Sequence, residues 1–146
     1  MEHLQVTENT QTLKHRLMEE GKIIMIVDDN PIDQMITKHV LKTNYLQDKF
    51  VIMDSAIKAL DYLEKNLENE DAMPSLIFLD LDMPGVNGFG FLERFNNYSQ
   101  HIKDACKIVV LTGTEIVEDI AMMQADPNVH QLVFKPLHKD SILPVN

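Results

Sequence analysis

Five side chains far apart in this sequence have the chemistry to handle a phosphoryl group, provided the fold brings them together. They are the carboxylates of Asp28, Asp29 and Asp80, the hydroxyl of Thr112 and the amine of Lys135. Three carboxylates in one crevice repel one another unless a cation or protons neutralise them. Hard oxygen donors without a His or Cys among them favour Mg²⁺, or Mn²⁺, over softer ions. A divalent ion and a lysine neutralise phosphoryl oxygens, a Thr hydroxyl donates to another, and a carboxylate can attack phosphorus. Each residue also has an ordinary role. Asp28-Asp29 ahead of Asn30-Pro31 suits a helix start, Thr112 before Gly113 suits a turn, and Lys135 before Pro136 suits a solvated cation. What separates the two readings is position, because all five residues follow apolar runs.

The element that organises the rest is Leu76-Ile77-Phe78-Leu79, with Pro74 before it and Pro84-Gly85 after it. Four apolar residues are too few for a buried helix, so the run predicts a short strand buried on both faces, delivering Asp80 to its C-terminal end. Lys22–Val27 predicts the first strand, ending at Asp28-Asp29, and Phe50–Met53 the second. Lys107–Leu111 predicts the fourth, ending at Thr112, and Gln131–Phe134 the fifth, ending at Lys135. Between them lie helical patterns. Asn30 and Pro31 begin one that carries Ile32, Met35, Ile36, His39 and Val40 and runs to about Thr43. Ser55 caps a second, with Ala56, Ala59, Leu60, Leu63 and Leu67. Phe89, Phe91, Leu92 and Phe95 mark a third, and Ile116, Val117, Ile120, Ala121 and Met123 a fourth that ends at Asp126-Pro127. Residues 99–105 read as a loop. Leu137–Asn146 leaves room for a turn or two of a shortened last helix before Pro144. Leu13, Leu17 and Met18 ahead of Gly21 predict a helical N-terminal extension over residues 1–21.

Alternating strands and helices argue an α/β domain, a doubly wound five-stranded parallel sheet with helices on both faces. In strand order 2-1-3-4-5, strands 1 and 3 are neighbours, and all the chemically useful residues stand on the C-terminal edge where such sheets bind ligands.

Composition sets bounds on the function. The 146 residues suit one domain, 1–21 being the extension and 22–146 the body. With 13 Lys and Arg against 23 Asp and Glu, the net charge of −10 disfavours nucleic acid as a partner. There is no apolar run of membrane-span length and no secretory signal pattern, which leads us to expect a cytoplasmic protein. The single cysteine, Cys106, beside the apolar run at Ile108, reads as structural.

The segments Ile26-Val27-Asp28-Asp29-Asn30, Leu79-Asp80-Leu81-Asp82-Met83-Pro84-Gly85 with Gly88, Leu111-Thr112-Gly113 and Phe134-Lys135-Pro136 resemble the receiver domain of two-component response regulators. The resemblance covers residues 22 to about 140 and implies the flavodoxin-like form of this fold. It implies that Asp80 is the phosphoacceptor, supplied by a histidine kinase or a phosphotransfer protein. It further implies that Asp28, Asp29 and Asp80 hold Mg²⁺ with the backbone carbonyl of Asp82, Asp29 and Asp80 foremost, and that Thr112 and Lys135 grip the phosphoryl oxygens. Such a chain is a signalling module rather than a turnover enzyme. With no DNA-binding or catalytic module in view, the expectation is a single-domain receiver acting on an unknown protein target, with weak dimerisation at most. Three features depart from the family pattern: Leu132 stands where a Tyr or Phe is usual, three residues before the lysine, the last helix is short, and the 21-residue N-terminal extension is unusual.

Two other classes fit parts of the pattern. A haloacid-dehalogenase-like phosphatase shares the Asp80-Leu81-Asp82 arrangement, but its acidic metal pair follows the lysine, whereas Asp28-Asp29 precede everything here. A flavodoxin-like nucleotide or flavin binder needs a Ser/Thr- or Gly-rich loop after the first strand, where Asp28-Asp29 would repel phosphate.

Overall fold

The computed structural model describes residues 22–45, 49–83 and 85–141, so the expected N-terminal helix lies outside the described residues. Five parallel strands run β1 (Ile23–Val27), β2 (Phe50–Met53), β3 (Pro74–Asp80), β4 (Lys107–Thr112) and β5 (Val129–Phe134), in sheet order β2-β1-β3-β4-β5. The helices are α1 (Pro31–Tyr45), α2 (Ala56–Lys65), α3 (Gly88–Phe95), α4 (Gln100–Ala105) and α5 (Val117–Ala125). This is the doubly wound α/β architecture that the alternating pattern predicts. Among the described residues, no helix is long and apolar enough to cross a membrane.

β3 is central, and every one of its residues is buried. Its side chains serve the two faces alternately. Ile77 and Leu79 join a large core with Leu60 and Leu63 of α2, Phe91 and Phe95 of α3 and Met123 of α5. Leu76 and Phe78 join a smaller one with Ile24, Val109, Leu111 and Leu41 of α1. Each fully buried Leu, Ile or Phe contributes about 1.5–3 kcal/mol, and this burial holds the C-terminal strand ends in place. Register aligns those ends: Val27 pairs with Leu79, Asp80 with Leu111, and Thr112 with Phe134.

Three details differ from the expectations. Residues 100–105, expected as loop, form α4, capped by the Ser99 hydroxyl accepting from the Ile102 N–H at 3.4 Å. A single apolar residue, the buried Ile102, anchors this helix, too little for a periodic signal. In α1 most of the apolar spacing falls on the outer face, Val40 alone of it packing against the smaller core. Ile32 and Met35 are 67% and 71% exposed, while Thr37 and Leu41 are buried. After β5 the described chain makes a turn in which the Ser141 N–H donates to the His138 carbonyl at 3.1 Å, and it forms no helix through residue 141. The remainder of the expected last helix, residues 142–146, lies outside the described residues.

Candidate functional site

Asp28 follows the last residue of β1 and is buried. Its carboxylate is fixed on both sides: Oδ1 accepts from the Asn30 N–H at 2.9 Å, and Oδ2 lies 3.0 Å from Lys135 Nζ. Its backbone carbonyl accepts from Gln34 Nε2, tying the strand end to α1. The Asn30 side chain caps α1 as predicted, accepting from the N–H groups of Ile32 and Asp33 at 2.9 and 3.2 Å. Asp29 is exposed and lines an open cavity of about 310 Å³ with Pro31, Gln34, Ile52 and Lys58.

Asp80 ends β3 and is 3% exposed. Its Oδ1 accepts from the Asp82 N–H at 3.2 Å and faces Lys135 Nζ at 3.2 Å. Burial, then the neighbouring charge of Asp28, push its pKa up to about 6 against the pull of Lys135 and the Asp82 N–H. The loop that follows depends on Gly88. Its N–H donates to the Leu81 carbonyl at 3.0 Å, and a Cβ there would sit 2.8 Å from Leu81 Cα and 3.0 Å from the Asp80 carbonyl oxygen. Gly85, at φ 75°, supplies the left-handed residue of the same turn.

Thr112 is wholly buried at the end of β4. Its hydroxyl oxygen accepts from the Thr114 N–H at 3.0 Å, which leaves the hydroxyl hydrogen to donate elsewhere. Its carbonyl accepts from the Lys135 N–H at 2.8 Å, so β4 sets the start of the lysine's path into the site.

Lys135 is the hub. Its ammonium lies 3.0 Å from Asp28, 3.2 Å from Asp80 and 2.9 Å from Asp33. Burial favours the neutral amine, but hydrogen bonds to Asp33 and Asp28 and the charges of Asp80 and Asp28 outweigh it. The net shift is upward and the amine stays protonated.

The fold therefore brings Lys135 into direct contact with both Asp28 and Asp80. Oxygens of Asp28, Asp29 and Asp80 also lie within 4.8 Å of one another. The donor set is all carboxylate, and the Lys135 ammonium contacts two of its three members, Asp28 and Asp80. That is the chemistry of a hard divalent ion site, and the residues fit one. Asp82 is exposed and contributes its N–H to Asp80. Asp33 is the residue that sequence reasoning missed. An acid in the first turn of a helix reads as an ordinary response to the helix dipole, and its pairing with a lysine 102 positions away leaves no local signal.

The sheet order and the carboxylate-lysine edge define a class, the doubly wound α/β fold with an acidic, lysine-bearing C-terminal edge. Comparison with known proteins makes the assignment definite. The family model for the response regulator receiver domain matches residues 24–145, and the chain belongs to that family. Response regulator Rcp1 of Synechocystis is 29% identical over 100 residues, covering 68% of this chain and 67% of Rcp1. The two-component response regulator ARR6 of Arabidopsis thaliana is 32% identical over 81 residues, and the match spans only 42% of it. Among solved structures, a two-component response regulator from Cytophaga hutchinsonii superposes with a TM-score of 0.75 over 83% of this chain and 90% of that one. At 22% identity, this likeness speaks to the fold alone. The Mn²⁺-bound form of Rcp1 superposes with a TM-score of 0.67 at 27% identity, over 83% and 86% of the two chains. These matches do not favour the phosphatase alternative.

Proposed function

We infer that this chain is a phosphoacceptor signalling domain and that Asp80 takes the phosphoryl group. The observation that carries this reading is the Lys135 ammonium held between the buried carboxylates of Asp28 and Asp80, at the strand ends on either side of the switch point. The donor is a histidine kinase or a phosphotransfer protein, and the reader of the modified state is a partner protein. The unit responsible spans residues 22–146, with 1–21 as an extension.

A carboxylate oxygen of Asp80 bonds to phosphorus while the donor's bond to phosphorus breaks. The bonding pair leaves with the donor, an imidazole nitrogen or, for a small acyl phosphate, a carboxylate oxygen. With a pKa near 6, Asp80 is largely ionised at pH 7.5 and ready to attack. The Lys135 ammonium neutralises one phosphoryl oxygen, and the Thr112 hydroxyl donates to another. The side chains of Asp28, Asp29 and Asp80, with the backbone carbonyl of Asp82, would hold Mg²⁺ or Mn²⁺. When bound, the ion supplies charge neutralisation at the phosphoryl oxygens and among the carboxylates. The role is signalling, with self-phosphorylation from small donors and self-dephosphorylation as its only chemistry.

The test is incubation with acetyl phosphate and Mg²⁺, followed by intact-mass and peptide mass spectrometry. The wild type should gain one phosphoryl group on Asp80, and Asp80→Asn should gain none. An unmodified wild type, or an equal yield on the Asn variant, would overturn the assignment.

A further inference from the structure

Asp33 belongs to neither the carboxylate triad nor the strand ends, yet it makes the shortest contact to Lys135. Its N–H is held by the Asn30 cap, and its carboxylate, at the start of α1, lies 2.9 Å from the ammonium. A lysine ammonium has three N–H donors. In this site it hydrogen-bonds Asp33 and Asp28 at 2.9 and 3.0 Å and pairs with Asp80 at 3.2 Å, so three carboxylate partners occupy it before any phosphoryl group arrives. Gripping a phosphoryl oxygen requires Lys135 to give up one of them. Asp28 and Asp80 belong to the set whose oxygens converge within 4.8 Å, whereas Asp33 stands outside it and its side chain is 34% exposed.

Resting on the phosphoacceptor reading above, we propose that Asp33 is a positioning residue that tethers Lys135 and competes with the phosphoryl group for its ammonium. Two effects act in the same direction. The tether draws the lysine toward α1, and the carboxylate adds a negative charge to a site that must accept a dianion. Asp33 thereby weakens the hold of the site on the phosphoryl group, and its removal strengthens that hold.

The experiment uses the full chain with Mg²⁺ and beryllofluoride, an inert stand-in for the phosphoryl group, alongside the acetyl phosphate reaction. Asp33→Asn should bind beryllofluoride roughly three- to tenfold more tightly than wild type, the scale of a partly exposed ion pair, and should phosphorylate faster. Asp33→Glu, which keeps the charge, should return toward wild type. Asp54→Asn removes the same charge from an exposed pair with Lys58 and should leave both readouts unchanged. A thermal-unfolding cycle without metal, comparing Asp33→Asn, Lys135→Gln and the double variant, should give non-additive shifts in Tm. Equal or weaker beryllofluoride binding by Asp33→Asn, an equal gain in Asp54→Asn, or an additive cycle would overturn the proposal while leaving the phosphoacceptor reading intact. A wild type that neither binds beryllofluoride nor takes up phosphate would overturn both.

Discussion

Replacing Asp80 by Asn should stabilise the metal-free protein, although it removes the residue on which the proposed chemistry depends. Asp80 is 3% exposed, and its pKa is raised from 3.8 to about 6, by burial first and by the charge of Asp28 second. A carboxyl group with a raised folded-state pKa stabilises the fold through its proton. That contribution is fully present below 3.8 and is lost as the pH rises through about 6. At pH 7.5 the wild type therefore carries the cost of a buried ionised carboxylate. About two pKa units at 1.36 kcal/mol each set an upper limit of about 3 kcal/mol. The opposing pull of Lys135 is already contained in that net shift, so a gain of about 1–3 kcal/mol is expected. For a chain of this length that raises Tm by roughly 3–10 °C. Thermal and urea unfolding in EDTA at pH 7.5 and 4.5 would measure it. The difference between variant and wild type should be large at pH 7.5 and mostly closed at 4.5, where Asp80 in the folded wild type is protonated. A variant less stable than wild type at pH 7.5, or a difference independent of pH, would refute the reasoning.

Three further outcomes follow from the same geometry. A Mg²⁺-dependent rise in Tm is expected of the wild type, and Asp29→Ala should abolish it because it removes the exposed member of the carboxylate set; an unchanged Mg²⁺ response in a thermal-shift titration would exclude Asp29 from the site. Gly88→Ala should cost about 1–3 kcal/mol and impair phosphorylation by acetyl phosphate, since its Cβ would press on the Leu81 backbone beside Asp80; wild-type urea stability would contradict this. Changes at Asp82 or Thr114, which contact Asp80 and Thr112 through their backbone N–H groups, should alter the half-life of the phosphorylated form while phosphorylation survives, as followed by phosphate release.

The fold was readable because its defining segments are local. Leu76–Leu79 is continuous and apolar, flanked by prolines, and becomes the fully buried β3. Ser55 and Asn30 cap helices where their side-chain chemistry says they should. What escaped depends on tertiary context. The short α4 owes its place to Ile102 reaching the core, and one apolar residue carries no period. α1 shows the opposite error. Ile32, Met35 and Ile36 are spaced like a buried stripe, yet the helix turns Thr37 and Leu41 to the sheet. The Gln34 contact to the Asp28 carbonyl is one of the polar bonds at the strand end that help fix how α1 sits, and such bonds are invisible to a count of hydrophobic spacing.

The site divides in the same way. Asp28, Asp29, Asp80, Thr112 and Lys135 could be picked out because a parallel sheet places every strand's C-terminal end on one edge, so sequence position alone implies convergence. The charge balance of that edge could not be read so. It depends on the angle at which α1 leaves β1, which the Asn30 cap and Gln34 set, and that angle carries Asp33 to within 2.9 Å of Lys135. Four carboxylates and one ammonium then share the strand edge, and in such a cluster each group's behaviour depends on the others. Leu132, which departs from the aromatic residue usual in the family, packs half-buried against the larger core with α2, α3 and α5 rather than against this cluster. A change of charge at Asp80 therefore acts first on Lys135, whose ammonium contacts it and whose N–H is bonded to the Thr112 carbonyl, and only through Lys135 on the ends of β4 and β5.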